Sequence, residues 1–207
     1  MKKLIFITVI GLIFIFKLEA KKIEGQIFYK NDTVYVTMNI PVKFFTQEIN
    51  YKKLQYKIKY FDSLGVKKVL RPDDAEEIRF TYQYEKVRML SRTNTLGLGN
   101  IFSMSSNIFL RIEIDGVLKL FTYYYTQSYQ MNNTSIGMSR GVFFYGEEKS
   151  ILQKGDGELK IPKGLRFKKD MIQYFNDCPE LSKKIEVKVF RKCDLDSIVR
   201  FYNRSCT

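Results

Sequence analysis

IFLRIEIDGVLKLFTYYY, residues 108–125, is the stretch that decides the fold. Ile108, Leu110, Ile112 and Ile114 recur at every second position with Arg111 and Glu113 between them, the period of a strand with one buried face. Asp115-Gly116 is expected to supply the two positive-φ positions of a type I′ turn, so the chain doubles back. The return segment, Val117 to Tyr125, is apolar or aromatic on both faces. That is expected of a central strand, or of one lying under a covering element.

The same period extends outward from Ile23 to about Ile161. Val34, Val36, Met38 and Ile40 share a face, with Tyr35, Thr37 and Asn39 opposite. Asn31-Asp32 just before them makes 23–30 and 33–40 a hairpin. Leu54, Tyr56, Ile58 and Tyr60 alternate with Gln55, Lys57 and Lys59, which predicts a strand. Ser63-Leu64-Gly65 then turns into 66–70. Ile78, Phe80, Tyr82 and Tyr84 alternate with Arg79, Thr81 and Gln83, and Val87 and Met89 continue in a short strand. Val142 to Tyr145 reads as a further strand, and Gly155-Asp156-Gly157 as a tight turn before Glu158 to Ile161. Residues 92–107 and 126–140, rich in Ser, Thr, Asn and Gln, read as long loops. Loops of this length in a small domain are where a binding surface is sought first.

After Pro162 and Gly164 the period changes. Phe167, Met171, Tyr174 and Phe175 lie on one helical face. Asp177-Cys178-Pro179-Glu180 matches a capping box with proline in the first turn of a second helix, whose buried side is Leu181 and Ile185. Asp194 is expected to cap a third, with Leu195, Ile198, Val199 and Tyr202 on its inner face. Three short helices bury too little surface to fold alone. The chain is therefore expected to be an α+β protein: an antiparallel β-sheet or open β-roll over 21–162, followed by a short C-terminal helical segment, 163–207, packed on it as one structural unit.

Ahead of the sheet, Lys2-Lys3, the apolar run Leu4–Phe16 and Ala20 have the layout of a signal peptide over residues 1–20. About 13 residues of helix span only ~20 Å, short of the ~30 Å of a bilayer's hydrocarbon, which favours cleavage over anchoring. Export places the protein in the periplasm or outside the cell, with no transmembrane span after cleavage. Of 207 residues, 35 are basic and 22 acidic, giving a net charge of +13, and none is His. The missing His excludes Ser–His and Cys–His nucleophile pairs and His metal sites. The basic excess is spread along the chain, and export removes nucleic acid as a target, so no nucleic-acid partner is expected.

An oxidising compartment lets disulfides persist. Cys178, Cys193 and Cys206 all fall in the tail. Three is odd, so at most one bridge forms within the chain. Cys178 falls in the first turn of the second predicted helix and Cys206 at the end of the third. Joining them would staple the tail, worth ~3–4 kcal/mol on chain-entropy grounds, and would leave Cys193 as a free thiol.

The markers Asn31-Asp32-Thr33, Arg71-Pro72-Asp73-Asp74-Ala75-Glu76-Glu77-Ile78, Glu113 to Gly116, Phe175-Asn176-Asp177-Cys178-Pro179-Glu180-Leu181 and Ile198-Val199-Arg200-Phe201-Tyr202-Asn203 run in order along the chain. In that order they resemble a family of uncharacterised exported proteins of Bacteroidetes-type bacteria. The resemblance implies the pairing of Cys178 with Cys206 and sets Cys193 apart as a departure. It carries no activity. It also implies O-glycosylation at Asp-Ser/Thr followed by an apolar residue, which makes Thr33, Ser63 and Ser197 candidate sites.

Candidate chemistry is sparse. Asp73, Asp74, Glu76 and Glu77 form the only acidic cluster, but lack calcium-loop spacing and read as a solvated turn entering a strand. Glu113 and Asp115, with Glu158, are the acids a His-free hydrolase would use, since such an enzyme needs two carboxylates about 5–10 Å apart. Tyr123-Tyr124-Tyr125 with Tyr129 could present a stacking platform, although strand packing is the commoner reason for such a run. No catalytic, cofactor-binding or metal residues, and no cofactor, are assigned. The expectation is a cell-envelope protein acting as a non-catalytic binding or assembly module, its partner a protein, glycan or lipopolysaccharide of the envelope. The alternatives are a hydrolase using acidic residues and a lipopolysaccharide- or polyanion-binding protein.

Overall fold

The hairpin at 108–125 lies near one end of a nine-stranded, wholly antiparallel sheet in the computed structural model, which describes residues 20–98, 106–130 and 142–206. The strands are β1 (Ala20–Phe28), β2 (Thr33–Pro41), β3 (Ile58–Phe61), β4 (Lys67–Leu70), β5 (Glu77–Tyr82), β6 (Glu85–Thr93), β7 (Asn107–Ile114), β8 (Leu118–Gln130) and β9 (Val142–Lys154). Their order is β4-β3-β2-β1-β5-β6-β7-β8-β9, so β4 and β9 are edges. The helices are α1 (Tyr51–Leu54), α2 (Phe167–Tyr174), α3 (Pro179–Glu186) and α4 (Leu195–Ser205). The fold is α+β, as the alternating pattern and its change of period predict. Of the signal peptide expected at 1–20, residues 1–19 lie outside the described residues, and Ala20 opens β1.

Period-two faces explain the layering. Val36, Met38 and Ile40 of β2, Ile78 and Phe80 of β5, Val87 and Met89 of β6, and Phe109 of β7 enter one core with Leu54 and Ile58. Each such side chain contributes about 1.5–3 kcal/mol of burial. A second core joins Leu118, Leu120 and Leu152 to Met171, Phe175, Leu181, Ile185, Ile198 and Val199 of the helical tail. This helical cover is why β8 is apolar on both faces: Phe121 and Tyr123 point the other way, into a third cluster with Leu110 and Ile151.

Several local expectations change. Asp115 does not take up positive φ: Gly116 alone does, at +155°, and a register shift between Ile112 and Ile114 replaces the type I′ turn. Gly116 is required there by packing as well, since a Cβ would stand 2.4 Å from Nδ2 of Asn203. Asn203 is clamped on β8, accepting from Leu118 N–H at 2.7 Å and donating to its carbonyl at 2.8 Å. The 126–140 loop is shorter than its polar composition suggests, because Thr126 to Gln130 continue β8 and pair with β9, which runs well past Tyr145. Residues 131–141 and 99–105 lie outside the described residues. The segment 158–161 forms only a single bridge, Lys160 to Leu152.

The strand expected from Leu54 to Tyr60 begins only at Ile58. Asn50 accepts a hydrogen bond from Lys53 N–H at 3.2 Å and starts the single turn of α1 instead. Gln55, expected on an exposed face, is fully buried. Its carbonyl accepts from Phe109 N–H at 3.0 Å, and its side chain accepts from Tyr124 N–H at 2.6 Å and donates to Tyr124 carbonyl at 2.9 Å. The β7–β8 ladder includes the pair Arg111–Thr122, and two residues further on Gln55 bonds both strands, at Phe109 and Tyr124. The chain just ahead of β3 therefore reaches β7 and β8, and the open sheet rolls around its first core.

Caps in the tail also differ from expectation. Cys178 and Asp194 stand at the N-caps of α3 and α4 without a side-chain cap bond. Asp177 is drawn off by Lys154 Nζ at 2.6 Å and by the Tyr202 hydroxyl at 2.6 Å, and Asp194 accepts from Arg191 N–H at 2.8 Å. Tertiary partners have taken the Asp177 carboxylate, whereas Asp194 is held by the local turn that precedes α4.

Candidate functional site

The roll has a mouth, built from the ends of elements far apart in the chain. Lys43 to Asn50 form the loop after β2, and Tyr51 and Lys52 open α1. Gln83 and Tyr84 make the β5–β6 turn, Arg111 comes from β7, and Tyr124 to Thr126 and Gly146 to Glu148 come from β8 and β9. Between them lies an open cleft of about 440 Å³.

Arg111 organises its floor. The guanidinium donates to the Tyr124 hydroxyl at 3.1 Å and to Glu85, and lies 3.2 Å from Glu113. Its carbon stands 4.8 Å from the Tyr51 ring centre, and Tyr51 stacks on Tyr124 at 4.7 Å and 17°. Cation–π contact and stacking of this kind hold a fixed geometry. Burial pushes the Tyr51 phenol up to about 12 and raises Tyr124 as well, against the pull of Arg111, so both remain neutral hydroxyls. The Tyr51 hydroxyl is buried, with no hydrogen-bond partner among the described residues. Further out, Lys52 Nζ donates to Thr126 Oγ1 at 2.6 Å and Lys43 pairs with Glu48 at 2.8 Å. The lining thus carries Glu48, Glu85, Glu147 and Glu148 against Lys43, Lys52 and Arg111, close to neutral on a strongly basic chain.

The rim is strained and aromatic. Gln83 and Tyr84 both adopt positive φ, 47° and 68°, in a tight turn that normally takes Asn or Gly. Gln47 does the same at 56° in the facing loop, and the Tyr82 hydroxyl donates to the Gln47 carbonyl at 2.6 Å, tying the loops together. Non-glycine residues in this region cost about 1–3 kcal/mol each and gather at binding sites. The two loops leave Tyr84 fully exposed and Phe45 at 90% exposure, with Phe44 packed edge-on against Phe45 at 5.1 Å. Reading the sequence runs the strand alternation through Gln83 and Tyr84 and misses this turn, because neither Gln-Tyr nor Phe-Phe is a turn signature.

The residues singled out from sequence lie elsewhere or serve the fold. Cys178 and Cys206 are joined, with Cα atoms 5.5 Å apart, and Cys193 is an exposed free thiol. Thr33 and Ser63 are exposed at turns and Ser197 in the first turn of α4. Asp32 and Asp62, ahead of the first two, hold their turns through backbone hydrogen bonds. The acidic cluster is the expected turn entering a strand, with Asp73, Asp74 and Glu76 exposed, and Glu77 alone departs from it by being buried. Asp74 accepts from Arg71 N–H, Asp73 from Asn107 N–H, and Glu77 is buried between Arg79 and Arg88. Burial opposes the charge on Glu77, but the two guanidinium groups outweigh it and hold the carboxyl below its ordinary value. Glu113 is bound by Thr122 and Arg111, Asp115 by Arg88, and Glu158 is exposed. The tyrosine run packs: Tyr123 is buried, Tyr124 stacks on Tyr51, and Tyr125 lies parallel to Tyr123 at 6.0 Å with Lys149 over its ring. The side chain of Tyr129 lies outside the described residues.

Among the described residues no three potential metal ligands come together, and no helix is long and apolar enough to cross a membrane. No protein-family model, curated protein or solved structure matches the chain. The resemblance to exported Bacteroidetes proteins rests on the residues quoted for it.

Proposed function

We propose that this is an exported cell-envelope protein that binds without catalysis, and that the cleft at the mouth of the roll is its binding site, taking a glycan strand. The observation that carries this reading is a cleft holding two internal ion pairs, Lys43–Glu48 and Arg111–Glu85, between two loops that also carry the exposed aromatic side chains Phe45 and Tyr84. Sugar rings present apolar faces that stack on flat aromatic side chains, and hydroxyls that bridge paired charges and amides such as Asn50 and Gln83.

A hydrolytic reading has less support. General acid catalysis by a carboxyl needs a raised proton affinity. In the cleft, the hydrogen bond from Lys43 holds the Glu48 carboxyl below its ordinary value, the wrong direction for a general acid. Glu113 and Asp115 are committed to separate arginines.

The test is titration of the protein with soluble oligosaccharides released from bacterial envelope, followed by calorimetry and by product analysis. Saturable binding without turnover is expected. It should weaken about threefold to tenfold when Phe45 or Tyr84 is changed to Ser, the worth of one stacking contact. Turnover, or binding indifferent to both changes, would overturn the reading.

A further inference from the structure

Away from the cleft, the helical tail presents an edge made by two loops. The first, 163–166, leads into α2, and the second, 187–191, follows α3. The first meets the residue that follows the second: Nζ of Lys192 stands 3.8 Å, and its Cδ 4.0 Å, from the position a Cβ on Gly164 would occupy. Each loop carries apolar side chains into solvent. Leu165 is 106% exposed, and Val187 and Val189 are each 61% exposed. Between the two valines, Lys188 adopts a left-handed φ of 61°, which turns the tip outward. Lys163, Arg166, Lys168 and Lys169 flank the first loop, Lys188, Arg191 and Lys192 the second, and neither 163–169 nor 187–192 contains a carboxylate.

The edge is held stiff. Phe190 packs on Phe201 of α4 at 5.9 Å, Lys184 lies over the Phe201 ring, and the Cys178–Cys206 bond ties the start of α3 to the end of α4. Exposed aliphatic side chains serve neither solubility nor the core. Set in a collar of cations they match a surface that is anionic outside and apolar just beneath. Lysine and arginine stems extend the apolar contact while their heads stay with phosphates.

We propose that this edge docks the protein on an anionic phospholipid surface, with Leu165, Val187 and Val189 entering the interface and the surrounding cations meeting lipid phosphates. The proposal is independent of what the cleft binds.

The experiment is co-sedimentation of the full chain with extruded vesicles of phosphatidylcholine alone, and of phosphatidylcholine with phosphatidylglycerol, at low and high salt. The apolar N-terminal stretch, with Lys2 and Lys3, is common to every variant, so the difference between parent and variant on the anionic vesicles reports the edge. Binding should favour the anionic vesicles and fall with salt. Each of Lys163→Ala, Lys188→Ala and Lys192→Ala should weaken it about fivefold, and the three together about a hundredfold. A Leu165→Ser, Val187→Ser, Val189→Ser variant should lose binding while melting at the parent temperature. Equal partition onto both vesicles would overturn the proposal, as would indifference to the lysine changes. Full retention of binding by the serine variant would do the same, since charge alone would then explain it.

Discussion

Replacing Gln55 by Met tests how the roll is closed. The two side chains have similar length and volume, so the change removes polar partners without opening a cavity. In the parent, the Gln55 amide satisfies both backbone groups of Tyr124, at 2.6 and 2.9 Å, in a site with no solvent exposure. An orphaned buried donor or acceptor costs about 1–3 kcal/mol, so two cost about 2–6. Removing the buried amide itself returns part of that. A net loss near 3 kcal/mol lowers the melting temperature by roughly 6–12 °C for a chain of this size, out of a total stability of about 5–15 kcal/mol. The assay is thermal unfolding by calorimetry, with amide exchange read at Tyr124 and Phe109. Exchange at Tyr124 should accelerate more than at strands remote from the split, and the cleft should loosen because Tyr124 carries Tyr51. A shift within about 2 °C, with Tyr124 protected as before, would refute the idea that Gln55 splices the strands.

Acid sensitivity should concentrate at Glu77. Its carboxyl is held below its ordinary value in the fold by Arg79 and Arg88 against the cost of burial, so the stabilisation is present above the unfolded value near 4.3 and is lost as pH falls through the lower folded value. Glu77→Gln should lower the melting temperature at neutral pH and flatten its decline below about pH 4.5; an unchanged acid limb would contradict the assignment. Reduction of Cys178–Cys206, which closes a sequence separation of 28, should cost about 3–4 kcal/mol and loosen α3 and α4 more than the sheet. A melt of the reduced protein that superimposes on the oxidised one would count against that.

What the sequence by itself determined was periodic and local. Alternation along β2, β5, β6 and β7 names the buried faces because a strand's side chains repeat every two residues. The 3.6-residue pattern separates the tail helices from the sheet for the same kind of reason. Leu181, Ile185, Ile198, Val199 and Tyr202 are all inward as that pattern predicts. What only the tertiary structure decided were contacts between residues far apart in the chain. Gln55 looks like a solvent position in an alternating run, yet it is buried because β7 and β8, about fifty to seventy residues later, part and leave backbone groups to be met. Asp177 reads as a cap but is claimed by Lys154 and Tyr202. Glu77 reads as a solvated acid until Arg88 of β6 folds against it. The mouth of the roll was illegible because its turn, Gln83-Tyr84, is held in a left-handed conformation by the register of β5 and β6 rather than by its own preference. Local free energy writes periods and turns into a sequence, whereas the pairing that satisfies buried polar groups depends on which distant segment arrives beside them.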